Sequence, residues 1–349
     1  LGLVSVIQRL VGGGKGSFLS TSMAIDLGTA NTLVYLQDRG IVLEEPSVVA
    51  VDSVSGEIST VGREAKAMLG RTGRGFEAVH PLKDGVITNA TATMAMLRIF
   101  FERSQARRFS MRPRVLVCVP SGITEVEITA VRNALERAGA REVLLVSEPL
   151  ASAVGVGLPV EAAAGNMIVD IGGGTTEIAV ISLSSIAANN SIRTGGDELN
   201  EAIAAYLKKH FSLLIGERTS EKVKISLGTV SEDDDSYMDV SGLDFVNGIP
   251  RTYRIRSQEV REALKEPVAA IVEAVRHGLE RTPPELASDI VDRGIVLTGG
   301  GALLRGIDRL LMKETGLPIR RADNPLSCTV LGAGIILEDL FRYRKLLIQ

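Results

Sequence analysis

Tryptophan is missing from this 349-residue chain, aromatic residues make up 4% of it, and it has only two cysteines. Two thiols, Cys118 and Cys328, cannot build the disulfide framework of a small secreted scaffold, and no Cys-x-x-Cys pair offers a zinc site. Cys118 lies in the strand-like run Val115-Leu116-Val117-Cys118-Val119, where a free thiol is expected as core filling. The three histidines, His80, His210 and His277, are scattered. No His-Glu-x-x-His pair occurs, so the rings are expected to be structural or solvent-facing. No apolar stretch reaches the roughly 18 residues of a membrane span, and no cleavable signal pattern is present. The formal net charge of -3 excludes a general nucleic-acid binder, whose surface must be basic. What remains is a globular composition suited to a reducing cytoplasm. It is 45% hydrophobic and 23% charged, with enough length for two domains or one bilobed body.

The chain repeats one unusual pattern. Met23-Ala24-Ile25-Asp26-Leu27-Gly28-Thr29-Ala30-Asn31-Thr32 returns in the second half as Met167-Ile168-Val169-Asp170-Ile171-Gly172-Gly173-Gly174-Thr175-Thr176. Each copy reads as a buried strand, an Asp at its end, a Gly-rich tight turn and a second apolar strand. Glycines let backbone approach a phosphate and let successive N–H groups converge on its oxygens, and Thr and Asn add donors. Asp26 and Asp170 would repel a bare phosphate. Their natural partner is a divalent cation, Mg2+ held largely through water. One such turn alone is an ordinary β-hairpin. Two in register, with a third cluster at Gly299-Gly300-Gly301 after an apolar run, point to two homologous halves facing one cleft. Competing motifs fail. Gly12-Gly13-Gly14-Lys15-Gly16-Ser17 lacks the Gly-Lys-Ser/Thr order of a P-loop and reads as a linker, and Leu304 stands where a dinucleotide fingerprint needs its last Gly.

Strand and helix patterns alternate along the chain, the mark of an α/β protein. Strands are expected at 41–43, 46–51 and 144–146, and residues 52–82 read as a small charged, Gly-rich insertion. Helices are expected at about 92–103, at 125–138 with Val126, Ala130, Ala134 and Leu135 sharing a face, and from Glu148 onward. The second half adds helices near 198–211 and 257–281, a basic segment from Glu217 to Lys224, and a closing apolar helix from Leu331 to Tyr343. The acidic run Glu232-Asp233-Asp234-Asp235 is expected to be a solvated loop, because like charges resist packing. At the N-terminus Leu3, Val6, Ile7, Leu10 and Val11 follow helical spacing beside Arg9 and Lys15. On spacing alone two readings stay open: an interfacial membrane anchor on a Gly leash, or a tail packed on the body.

The order Asp26 to Thr32, Glu148-Pro149-Leu150-Ala151-Ser152-Ala153, Asp170 to Glu177 and Leu297 to Ala302 resembles the actin, heat-shock chaperone and sugar-kinase superfamily. Four further blocks narrow the resemblance to the MreB family of bacterial actins: 45–50, 83–87, 114–120 and 283–290. The resemblance covers about residues 22 to 340. It implies an actin-like (ribonuclease H-like) bilobed α/β fold, two related domains around a nucleotide cleft, each with a smaller inserted subdomain. Residues 1–21 would be an amphipathic segment and linker. Residues 22–51, 83–162 and 332–349 would form subdomain IA, and 52–82 subdomain IB. Residues 163–198 and 263–331 would form IIA, and 199–262 IIB.

ATP or ADP with Mg2+ is the implied cofactor. Gly28, Thr29, Ala30, Asn31 and Thr32 would grip the β- and γ-phosphates, with Gly172, Gly173, Gly174 and Thr175 closing from the other lobe. Asp26 and Asp170 would orient the metal and its waters. Glu148 would polarise the attacking water; its competing reading is a helix-start carboxylate favoured by the macrodipole. Gly299, Gly300, Gly301 and Ala302 would face the adenosine, with Gly196, Glu217, Arg218, Ser220 and Glu221 on the opposite wall. The competing reading of 217–221 is an exposed charged turn. The resemblance also implies a slow ATPase coupled to membrane-associated filaments that organise wall synthesis and keep a rod cell shape. The implied partners are the protein itself in paired antiparallel protofilaments, membrane proteins of the elongation machinery, and the inner face of the cell membrane. Residues 3–11 and Phe109 with Met111 would make the membrane contact, placing a cytoplasmic protein peripherally there; no nucleic acid is implied. The rivals are another bacterial actin filament, for plasmid segregation or organelle positioning, a sugar kinase, and a chaperone, which would need a further peptide-binding domain. Ser147, Ser121 and Asn200 depart from the family pattern, which favours Glu, a small apolar residue or Val, and Asp there.

Overall fold

The computed structural model describes residues 22–71, 73, 75–105 and 112–348. Residues 3–11, Phe109 and Met111, named above as membrane contacts, lie outside the described residues. Two sheets organise the rest. The first orders its strands Leu347–Ile348, Glu142–Ser147, Arg114–Val119, Ser22–Leu27, Asn31–Leu36, Gly40–Pro46. The second runs Ser185–Ile192, Thr176–Ser182, Asn166–Ile171, Ile295–Thr298, Ile319–Arg321. The sequence repeat is a structural repeat. Ser22–Leu27 pairs antiparallel with Asn31–Leu36 and parallel with Arg114–Val119. Asn166–Ile171 likewise pairs antiparallel with Thr176–Ser182 and parallel with Ile295–Thr298.

Central strands such as Met23-Ala24-Ile25 and Met167-Ile168-Val169 are buried at every residue, as both-face coverage of a parallel pair requires. Each lobe has its own apolar core. A third cluster joins them: Ala24, Leu116, Cys118 and Val146 of the first sheet meet Ile168, Ala179 and Ile181 of the second. The helices Glu148–Gly155 and Cys328–Glu338 complete that shared core, which makes it the joint on which the lobes meet.

The helix Glu125–Ala138 has the expected bounds because Thr124 and Glu127 close a capping box at its start. Its inner face differs from the expected one. Val126 is 79% exposed, while Ile128, Val131, Ala134, Leu135 and Ala138 are buried. The stripe that packs into the first-lobe core starts at Ile128. The strand expected at 46–51 is split. Its first-sheet part ends at Pro46, with one last rung from the Ser47 N–H to the Ala30 carbonyl at 3.0 Å. Val49–Asp52 then joins Ile58–Val61 and Phe76–Val79 in a separate three-stranded sheet. The helix Arg63–Met68 packs on it. A second small sheet, Leu213–Leu214, Tyr237–Asp244 and Ile249–Arg256, belongs to the other lobe.

The basic segment after Glu217 is a helix, Glu217–Leu227. The closing helix begins earlier than expected, at Cys328, and breaks after Glu338. Asp339 leaves helical backbone at φ -131°, and its carboxylate accepts from the Arg342 N–H at 3.1 Å to start a new short helix. The acidic run is exposed except for Asp234, which pairs with Arg305 at 2.5 Å.

Candidate functional site

The first hairpin turns through Gly28, Thr29 and Ala30 and is propped from behind by Ser47. The Ser47 hydroxyl donates to the Gly28 carbonyl at 2.7 Å and lies 2.9 Å from Thr32 Oγ1. Thr32 is wholly buried and spends its hydroxyl there. Thr29 Oγ1 accepts from the Gly85 N–H at 2.9 Å, which draws the 83–87 segment onto the turn. Asn31 opens the outgoing strand, opposite Pro46.

The second hairpin closes through a bond from the Gly172 N–H to the Thr175 carbonyl at 2.8 Å. Its carbonyls at Gly172 and Gly173 accept from the N–H groups of Gly196 and Asp197 at 3.0 and 2.8 Å. The start of the helix Gly196–Phe211 therefore stands directly against the turn. The hairpins of the two lobes also meet each other. A Cβ at Gly173 would fall 2.7 Å from the Ala30 Cβ, and one at Gly174 would fall 2.9 Å from the Asp84 Cα. Thr298 is the register partner of Asp170, and Gly299 follows it with φ +78°. A side chain at Gly299 would overlap Asp170 and Ile171. Gly300 and Gly301 follow, and Ala302 is wholly buried. The structure thus brings 28–32, 172–175, Gly196 and 299–302 together around the meeting of the lobes.

Three carboxylates share this place. Asp26 pairs in register with Cys118, and Val119 pairs with Ser147, the residue before Glu148. Asp170 approaches from the second lobe. Burial, and then the charge of Asp170, push the Asp26 carboxyl up to about 7. Burial holds Glu148 well above the usual carboxylate range, with Asp26, Glu177 and Asp170 adding to the effect. Burial also raises Asp170, against a hydrogen bond from Ser152 that favours its charged form. Ser152 Oγ donates to Asp170 Oδ2 at 2.7 Å, and Thr329 Oγ1 lies 3.4 Å from the same oxygen. Among the described residues no Lys, Arg or His forms a salt bridge with any of the three.

This donor set fits a hydrated Mg2+: hard oxygen ligands close together, with no cationic side chain among the described residues paired to them. No group of three or more His, Cys, Asp or Glu among the described residues forms a ready metal cage. Mg2+ needs none, because one or two carboxylates, water and phosphate oxygens complete its shell.

The segment 217–221 is engaged differently from the other expected site residues. Glu217 Oε1 lies 2.9 Å from His80 Nε2, Glu221 Oε2 lies 2.7 Å from Lys66 Nζ, and Arg218 Nη1 donates to the Ala67 carbonyl at 3.1 Å. Ser220 is buried and donates to the Glu217 carbonyl. Three of these four side chains therefore bridge to the opposite lobe, two of them to the helix Arg63–Met68 and one to His80 just past the strand Phe76–Val79. Sequence reasoning missed the partners Lys66 and His80, which carry no local motif. It also passed over Ser152, one helical turn after Glu148, and Glu177, which closes the second repeat. Spacing was the available signal for both.

Two α/β halves, each built around an Asp–Gly hairpin and folded together over shared carboxylates, define an actin-like protein. The family described as MreB/Mbl protein matches residues 20–345, and the chain belongs to it. It is 50% identical over 331 residues to the cell shape-determining protein MreB of Escherichia coli strain K12, covering 93% of this chain and 95% of that one. It is 49% identical over 328 residues to the cell shape-determining protein Mbl of Bacillus cereus, covering 93% and 97%. Among solved structures, MreB5 of Spiroplasma citri bound to ADP aligns with a TM-score of 0.88 at 34% identity, over 93% of this chain and 98% of that one. The MamK double helical filament aligns with a TM-score of 0.77 at 21% identity, over 91% and 99%, a likeness of fold.

Proposed function

We propose that this protein is an ATP-binding, slowly ATP-hydrolysing bacterial actin. It polymerises into filaments on the inner face of the cell membrane and there organises wall synthesis to maintain cell shape. The observation that carries the reading is the close approach of Gly173 to Ala30 beside three mutually interacting carboxylates, which supports two hairpins gripping one phosphate chain. The Spiroplasma relative has been solved with ADP and with AMPPNP, and the MamK protein as a filament, which supports the same reading.

In this mechanism the hairpins 28–32 and 172–175 hold the β- and γ-phosphates through backbone N–H groups, the Gly172 N–H excepted because it closes its own turn, and Gly196 lines the adenosine side of the cleft. Asp26 and Asp170 would hold Mg2+ through its waters. When bound, the ion supplies charge neutralisation for phosphoryl transfer. Glu148 orients the attacking water and takes its proton, a role suited to a carboxylate whose environment raises its basicity. Hydrolysis then depends on positioning more than on covalent chemistry, so modest rates fit. The adenosine lies against Gly299 to Ala302, and Glu217 to Glu221 close the mouth over it. Residues 3–11 and Phe109 with Met111 provide the membrane contact, with filament avidity strengthening a marginal anchor. Among the described residues no helix is long and apolar enough to cross a membrane.

Electron microscopy of the purified full chain tests this. With Mg·ATP and anionic lipid vesicles, filaments are expected to coat the lipid, with few or none when nucleotide is left out. Steady phosphorylation of a sugar by the same preparation, or filaments indifferent to both nucleotide and lipid, would overturn the reading. Undiminished coating after removal of residues 1–14 would sink the anchor alone.

A further inference from the structure

Glu177 is a buried carboxylate to which the mechanism above gives no task. It is 1% exposed on the strand Thr176–Ser182 and is the register partner of Asp170 across the second hairpin. Three donors satisfy it. The Ser121 N–H donates to Oε2 at 3.0 Å, the Ser121 hydroxyl donates to the same oxygen, and the Ser191 hydroxyl donates to Oε1. Ser191 belongs to the same lobe, on the neighbouring strand and directly opposite Glu177. Ser121 belongs to the other lobe, two residues past the end of Arg114–Val119. The Ser121–Glu177 bonds therefore cross from lobe to lobe.

Both ends of this tie adjoin the site. On the first lobe the strand Arg114–Val119 lies between the strand that carries Asp26 and the strand that leads into Glu148. On the second lobe Asp170 is paired with Glu177 itself. All three site carboxylates are thus one strand-to-strand step from an end of the tie. A buried carboxylate holds its donors tightly, because losing one leaves charge unsatisfied in a low-dielectric place.

We propose that Ser121 and Glu177 are positioning residues. Their cross-lobe hydrogen bonds fix the strand ends bearing Asp26 and Glu148 relative to the strand bearing Asp170, and so set the alignment of water and terminal phosphate. This rests on the ATPase reading above. The tie acts on the rate of hydrolysis rather than on affinity, because the bulk of nucleotide binding lies in backbone and glycine contacts elsewhere.

The test compares labelled-ATP affinity with single-turnover phosphate release in the full chain. Ser121→Ala is expected to keep affinity within about twofold and to slow hydrolysis about tenfold, because small misplacements at a reacting centre are costly. Ser121→Thr, which keeps the hydroxyl, should restore the rate to within about twofold. Ser191→Ala removes a donor within one lobe and should slow hydrolysis by no more than about threefold. Wild-type rates in Ser121→Ala, or equal slowing by Ser191→Ala, would overturn the proposal. A readout that needs no turnover is hydrogen exchange at the Ser121 amide. It should quicken about fivefold in Glu177→Gln, whose neutral oxygen accepts more weakly; unchanged exchange overturns the tie. A wild-type chain that binds ATP yet releases no phosphate overturns the ATPase reading, while the exchange result still decides whether the tie exists.

Discussion

Lys66 on the first lobe and Glu221 on the second meet at 2.7 Å, bridging the two lobes, their side chains 27% and 29% exposed. Glu217 and His80 make a second contact beside them, and Arg218 reaches the Ala67 carbonyl. Half-exposed pairs of this kind contribute about 0–1 kcal/mol each. A bridge of such contacts can hold the lobes together and still open readily. Lys66→Ala or Glu221→Gln is therefore expected to speed release of bound nucleotide about threefold to fivefold, with little change in melting temperature. Stopped-flow release of a fluorescent ATP analogue measures this, and an unchanged release rate would remove the bridge from the gate.

The His80–Glu217 contact is expected to give this bridge a pH dependence. The hydrogen bond to Glu217 raises the His80 pKa above its ordinary 6.5, with burial opposing; nearby Asp197 adds to the rise and Lys66 works against it. The same bond lowers Glu217. A raised histidine contributes fully below 6.5 and loses its contribution as pH rises through the folded-state value. The lowered carboxylate fails only on the acid side, below its own range. Nucleotide release is thus expected to be slow near about pH 6 and faster near about pH 8. His80→Gln should flatten that profile. An identical slope in the variant would assign the pH dependence to another group.

Glu148→Ala should leave nucleotide affinity largely intact and slow phosphate release at least about tenfold, the scale of losing a group that moves a proton. The pair of measurements matters here. Weaker binding with normal turnover would make Glu148 a structural carboxylate at a helix start.

The capped helix Glu125–Ala138 offers a check on packing. Leu135 is wholly buried in the first-lobe core, whereas Val126 faces outward. Leu135→Ala is expected to cost about 2–5 kcal/mol. Val126→Ala should stay within about 0.5 kcal/mol. Urea unfolding curves measure both, and a large loss at Val126 would contradict the observed facing of the helix.

The repeated hairpins were legible because a tight glycine-rich turn restricts its own residues. Where two backbones must touch, as at Gly173 and Ala30, only a missing side chain will do, and that leaves a mark in the sequence. The alternation of strands and helices was legible for a similar local reason. The bridge between the lobes was not, since Lys66 and Glu221 look like any surface charges until the fold sets them opposite each other. Ser121 stood out only as a departure from the family pattern; its meaning depended on Glu177 arriving from the other lobe. Val126 fits an apolar stripe because such spacing suits more than one face of a short helix, and packing in the first-lobe core selects the face that starts at Ile128.

The two hairpins are expected to form opposite walls of one nucleotide cleft. Equilibrium binding of Mg·ATP to the wild-type chain and to Gly173→Val tests it most directly, with melting temperature as the check on folding. The wild type should saturate at one ATP per chain, and Gly173→Val, whose side chain would press on Ala30, should bind at least about tenfold more weakly while still folded. Equal affinity in the two proteins would contradict it.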